Sequence, residues 1–202
     1  MTATTTVEIP TPHGPARVEL RPAERPRAAL LLGHGAGGGT NAPDLQAATK
    51  AALAAGISVA LVEQPYRVAG RRAPAPAPQL DTAWLAVAGE LSSSHLASLP
   101  LLFGGRSSGA RVACRTSGAG HALAVLCLAF PLHPPGRPEK SRQAELAGVT
   151  VPTLVIQGES DPFGTPKVAN HQTLATFPGT HSLKTNLKHI TKTIETWLTQ
   201  TL

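Results

Sequence analysis

Leu99-Pro100-Leu101-Leu102-Phe103-Gly104-Gly105-Arg106-Ser107-Ser108-Gly109-Ala110-Arg111-Val112-Ala113 is the stretch on which the reading of this chain turns. Its apolar opening, Leu99 to Phe103, reads as a strand buried on both faces, and the residues from Ala110 onward are compatible with a helix. Between them stands Gly105-Arg106-Ser107-Ser108-Gly109, a G-x-S-x-G sequence in the strand-to-helix setting that this pattern requires. A side chain held on a tight, strained turn between the two elements stands clear of the backbone, provided its neighbours are small. Gly105 and Gly109 meet that condition, so Ser107 is the candidate nucleophile. The first N–H groups of the new helix then face any oxyanion formed beside it. In a chain with 19 glycines the same five residues also suit an ordinary Gly/Ser turn, so the partners found elsewhere decide between the two.

Working outward, apolar runs alternate with helical patterns. Val7 to Ile9 and Ala16 to Leu20 predict an opening strand pair joined by a turn at Pro10 to Pro15. Ala28 to Leu32, Ile57 to Val62, Leu123 to Phe130, Thr153 to Gln157 and Gln172 to Phe177 predict further strands. Between them, Thr40 or Asn41 is placed to cap a helix with Pro43 in its first turn and Gly56 at its end. Leu80, Trp84, Val87 and Leu91 recur at helical spacing, Gln143 to Leu146 predicts a short helix, and Leu187, Ile190, Ile194, Trp197 and Leu198 give a final amphipathic one. The Pro/Ala-rich, basic segment Gly70 to Pro78 favours an extended loop. Such alternation means parallel strands with helical crossovers, hence a single-domain α/β/α three-layer sandwich over residues 1–202 with a mostly parallel sheet and no large lid. Ligands gather at the carboxyl ends of strands in such sheets, and the polar motifs of this chain all follow strands.

Serine is a weak nucleophile unless a base takes its proton and an acid holds that base in the right tautomer. His181, in a Gly-x-His-Ser turn after the last strand, is the candidate base, with His171 as its rival among eight histidines. Asp161 follows the penultimate strand and precedes the rigid Pro162, which makes it the candidate acid; Glu159 is the alternative. The order Ser107, Asp161, His181 is one of three common triad orders and goes with a strand-turn-helix nucleophile. Oxyanion donors are expected from the Ser108 N–H and from the Gly33 to Gly39 loop, through Ala36 or else Gly37, with His34 bracing that loop. Gly37, Arg106 and His133 are the candidate substrate contacts. Glu63 and Arg106 fit a pocket wall or an ion pair equally well, and His133 either borders the pocket or pins its loop.

Composition narrows the field further. Hydrophobic residues at 42% support a globular core, and aromatics at 3% require that Ala, Leu and Val build it. The longest apolar stretch, Ala122 to Leu132, is shorter than the roughly eighteen residues a membrane span needs and contains Pro131. No basic-then-apolar leader pattern opens the chain, and two cysteines, Cys114 and Cys127, are too few for a stapled secreted domain; both are expected reduced in the core of a cytoplasmic protein. The net charge of +6 is scattered, with no aromatic platform beside it, so nucleic acid is not expected as a partner. Monomer and homodimer both remain open. The chemistry needs neither a metal nor an organic cofactor.

His34-Gly35-Ala36-Gly37-Gly38, Gly104 to Arg111, Pro131-Leu132-His133-Pro134-Pro135-Gly136 and Gly158 to Gly164 resemble a small α/β-hydrolase family of the dienelactone-hydrolase-like type, similar to the hydrolase-like domain of the third subunit of the non-specific-lethal chromatin complex. The resemblance spans nearly the whole chain and implies a lidless α/β-hydrolase fold with Ser107, Asp161 and His181 on matching positions. True dienelactone hydrolases carry cysteine where this chain has Ser107, and Met and Gly are expected where it has Ser108 and Ala110. The expected function is hydrolysis of a small ester or thioester through an acyl-enzyme on Ser107. The opposing expectation, a binding or scaffold module with little or no catalysis, follows from relatives used as interaction domains.

Overall fold

The computed structural model describes residues 3–202. Leu30, Leu31 and Leu32 are all fully buried, yet they serve two different cores: Leu31 packs with one apolar cluster, Leu30 and Leu32 with the other. Alternation along a strand sends successive side chains to opposite faces, so a strand covered on both sides reads as an unbroken apolar run. That is the physical meaning of Ala28–Gly33 (β3), Ile57–Glu63 (β4), Val125–Leu128 (β6) and Thr153–Gly158 (β7). With Thr5–Ile9 (β1), Ala16–Arg21 (β2), Leu101–Arg106 (β5) and Gln172–Phe177 (β8) they form one eight-stranded sheet in the order β1-β2-β4-β3-β5-β6-β7-β8. β2 runs antiparallel to both its neighbours, and every pairing from β4 to β8 is parallel.

Helices cover both faces. Pro43–Ala54 (α1) and Leu187–Thr201 (α6) bury Leu45, Ala48, Ala52, Ile190, Ile194 and Leu198 on one side. Ala77–Ser93 (α3), Ser108–Thr116 (α4) and Gln143–Ala147 (α5) pack on the other, where the Trp84 ring meets Phe103 edge-on with centroids 5.4 Å apart. Arg115 binds Asp81 through two nitrogens at 2.8 and 2.6 Å, and Arg111 binds Glu145 likewise, so α4 is tied to α3 and α5 by bidentate ion pairs. Cys114 and Cys127 are buried free thiols with sulfurs 3.5 Å apart. No helix is long and apolar enough to cross a membrane among the described residues.

Four expectations are corrected. β5 is Leu101–Arg106 rather than Leu99–Phe103: Pro100 lacks a ladder donor, whereas Gly104 and Gly105 continue the pairing opposite Leu32 and Gly33. The N-cap of α1 is Ala42, not Thr40 or Asn41, and no side chain caps the helix; Asp44 Oδ1 accepts the Leu45 N–H instead. β6 is shorter than Leu123 to Phe130, since Ala129 turns out of the strand with φ 49°. Finally, α3 begins at Ala77, inside the Gly70 to Pro78 segment read as extended. Ahead of that segment, Pro65–Val68 forms a short helix (α2).

Candidate active site

Three turns at the carboxyl edge of the sheet, after β5, β7 and β8, bring Ser107, Asp161 and His181 together. Ser107 lies at φ 53° and ψ −110°, a conformation an L-residue adopts at a cost of roughly 1–3 kcal/mol. The fold holds it there from both sides: its N–H donates to Leu128 O at 2.9 Å, and its carbonyl accepts the Arg111 N–H at 3.2 Å. The crossing of α4 over β3 is close. A Cβ at Gly105 would sit 2.6 Å from Gly33 O, and one at Gly109 would collide with the same oxygen. The two flanking glycines are therefore a packing requirement of the turn.

Asp161 is buried, with no exposed side-chain surface. Its Oδ1 accepts the Phe163 N–H at 2.8 Å, and its Oδ2 accepts Gln157 Nε2 and His181 Nδ1, both at 2.8 Å. A carboxylate only accepts, so Nδ1 carries the imidazole proton and Nε2 presents its lone pair. That lone pair faces Ser107 Oγ at 2.9 Å. The Phe163 ring stacks on the imidazole with centroids 4.1 Å apart and an interplanar angle of 28°. The three residues thus form one hydrogen-bonded chain from a buried carboxylate to a partly exposed hydroxyl.

The rival residues lie elsewhere. Glu159 is exposed, and His171 Nε2 meets Val149 O at 2.7 Å beside the amino end of β8, away from the carboxyl edge. Ser108 opens α4, where the first N–H groups have no intrahelical acceptor. Ala36 is exposed within a turn closed by the Gly38 N–H on Gly35 O at 3.1 Å. Burial pushes the Tyr66 phenol above its ordinary value, with the Gly37 backbone beside it pulling back. Gly37 is exposed at φ 67°, and a Cβ there would lie 3.6 Å from the Arg72 carbonyl oxygen. His34 donates from Nδ1 to Gly35 O at 2.9 Å and accepts the Gln64 N–H at Nε2 at 3.1 Å, which fixes its neutral tautomer; burial lowers its pKa in the same sense.

Arg106, read as a substrate contact, uses its Nε on Asp44 Oδ2 at 2.9 Å and its second terminal nitrogen on His181 O at 3.1 Å. His133 gives its N–H to Phe163 O at 3.0 Å and its Nδ1 bonds Pro134 O at 2.9 Å, while Nε2 packs on Gly164. It pins the Pro131–Gly136 loop to the loop bearing Asp161. Glu63 pairs with Arg17 at 3.5 Å. Asp44, Gln157 and Phe163 escaped the sequence reading. Gln157 and Phe163 sit four residues before and two after Asp161, a spacing that offered a signal; Asp44 offered none, because its partner lies far along the chain. Among the described residues no group of three or more His, Cys, Asp or Glu side chains is arranged to hold a metal.

A sheet of this order, with an antiparallel second strand and a serine on a strained turn between the fifth strand and its helix, defines an α/β-hydrolase fold. The chain belongs to the family described as alpha/beta hydrolase domain, which it matches over residues 26–196. Among solved structures it is similar to XC6422 from Xanthomonas campestris, described as an α/β serine hydrolase without lid, at 20% identity and a TM-score of 0.79 over 99% of this chain and 95% of the other. It is similar to a dienelactone hydrolase from Anabaena variabilis at 16% identity and TM-score 0.76, over 98% and 97% of the two chains. Est1E from Butyrivibrio proteoclasticus gives 14% identity and TM-score 0.76 over 97% and 98%. No curated protein sequence matches it significantly.

Proposed function

We propose that this protein is a serine hydrolase that cleaves a small, accessible ester or thioester. The unbroken Asp161–His181–Ser107 hydrogen-bond chain carries this reading, with His181 in the tautomer that can take the serine proton. Ser107 Oγ attacks the acyl carbonyl carbon as its proton passes to His181 Nε2. The Ser108 and Ala36 N–H groups receive the resulting oxyanion, each worth a few kcal/mol of transition-state stabilisation. Collapse of the tetrahedral state expels the alcohol or thiol, which leaves with the proton from Nε2, and Ser107 remains acylated. Water, activated by the freed imidazole, then repeats the sequence and releases the acid. Asp161 stays ionised throughout and holds the imidazolium. The names of the similar structures, a dienelactone hydrolase and a lidless serine hydrolase among them, are in keeping with acyl transfer.

Labelling with a fluorophosphonate probe, together with p-nitrophenyl acetate turnover across pH 6 to 9, tests the reading. Wild type should label and turn over, and both Ser107→Ala and His181→Ala should abolish the signal. Folded wild-type protein that neither labels nor hydrolyses would leave the fold as a binding module.

A further inference from the structure

Resting on the hydrolase reading, we infer that Arg106 and Asp44 are a positioning pair that sets the distance between His181 and Ser107. Arg106 is the last residue of β5 and directly precedes Ser107. Its backbone therefore leads into the strained turn, while its side chain reaches the His181 carbonyl at 3.1 Å. One residue thus spans both reacting partners, and the reach of its guanidinium limits how far the His181 turn can move from the serine. A guanidinium on a flexible stem sets a distance only if it is itself held. Asp44 holds it: the carboxylate has no exposed surface, lies in the first turn of α1, accepts the Leu45 N–H at 2.9 Å with one oxygen and receives Arg106 Nε at 2.9 Å with the other.

The path of the side chain gives a second, independent observation. A Cβ at Gly35 would fall 2.8 Å from an Arg106 terminal nitrogen and 3.5 Å from Ser107 Cβ. The guanidinium therefore crosses directly over the turn expected to supply an oxyanion donor, and a side chain at position 35 would push it off this path. One planar group meets the oxyanion turn, the start of α1 and the base-bearing turn. Lysine cannot replace it, because a single ammonium on a thinner stem has no fixed fork with which to bridge Asp44 and the His181 carbonyl at once.

The test compares wild type with Arg106→Gln, Arg106→Lys, Asp44→Asn and the Asp44→Asn/Arg106→Gln double variant. Readouts are kcat and KM on p-nitrophenyl acetate, the fluorophosphonate labelling rate, thermal unfolding, and the low-field proton resonance of His181 Nδ1–H bonded to Asp161. Arg106→Gln should lose about 10- to 100-fold in kcat with little change in KM, as expected for a small misplacement of a reacting group. Its low-field resonance should broaden or move upfield, Arg106→Lys should not restore wild-type kcat, and the double variant should be no slower than Arg106→Gln, because the two residues act through one path. A kcat for Arg106→Gln near wild type, an unchanged resonance in a folded variant, or effects of the two single variants that multiply would each overturn the pairing. If wild type itself neither labels nor turns over, the hydrolase reading falls, and the resonance comparison alone decides whether the pair positions His181.

Discussion

Asp161 serves three donors with two oxygens, and this arrangement separates it from Glu159, two residues earlier in the same turn and exposed. Replacing it by Asn substitutes an amide whose nitrogen cannot accept the Nδ1 proton. The imidazole would then favour the wrong tautomer, and kcat should fall on the order of 10⁴-fold while probe binding survives; steady-state turnover beside labelling rates checks this. His34 yields a second prediction at the same level. Burial lowers its pKa below the ordinary 6.5, so below that pH the unfolded chain binds more protons than the native one. The stability it contributes is present above about pH 6.5 and is lost as pH falls through the native value, since protonated Nε2 can no longer accept the Gln64 N–H. The Asp44 carboxyl, raised by burial against the pull of Arg106, acts with the opposite sign. The urea midpoint should therefore fall between pH 7 and pH 5 in wild type, and fall less in His34→Gln. The convergence of Ser107, Asp161 and His181 was legible in the sequence because each stands in the turn that follows a strand at the carboxyl edge of the sheet. The place of Arg106 beside Ser107 was legible in the sequence, but its bonds to Asp44 and the His181 carbonyl were not, since those partners are chain-distant and no local pattern encodes them.

The elbow, taken as an element, is a strand and a helix crossing so tightly that α4 rests on the Gly33 carbonyl of β3. Gly109→Ala inserts a methyl where the neighbour is backbone and cannot rotate away. The expected result is a stability loss of about 1–3 kcal/mol or more, with labelling lost even in the folded fraction, measured by denaturant unfolding and probe reactivity on one sample. Trp84 on α3 fills the space behind the same crossing and is fully buried against Phe103. Trp84→Ala should cost about 3–5 kcal/mol in the same assay. Helix periodicity made α3 and α6 visible in the sequence, because their apolar stripes are regular. The ends were less visible: β5 runs on through two glycines that carry no strand propensity, where tertiary pairing overrides local preference, and the N-cap of α1 is an alanine with no side chain to cap it.

At the level of the whole molecule, the two apolar clusters on opposite faces explain why unbroken hydrophobic runs in the sequence give strands and amphipathic stripes give their covers. β1 and β2 pair antiparallel across a short connection, whereas β2 pairs antiparallel with β4 over the intervening β3 and α1, the part of the topology that alternation alone does not encode. At the carboxyl edge, the chain between elements includes turns, the short α2 and the Pro131–Gly136 loop pinned by His133, and no helical layer is inserted over Ser107 among the described residues. If the proposed hydrolysis holds, a protein built this way has no gate for an oil–water boundary to open. Esterolysis should rise hyperbolically with dissolved substrate and show neither a lag nor a jump where the ester begins to form micelles, a comparison that one titration across the critical micelle concentration provides.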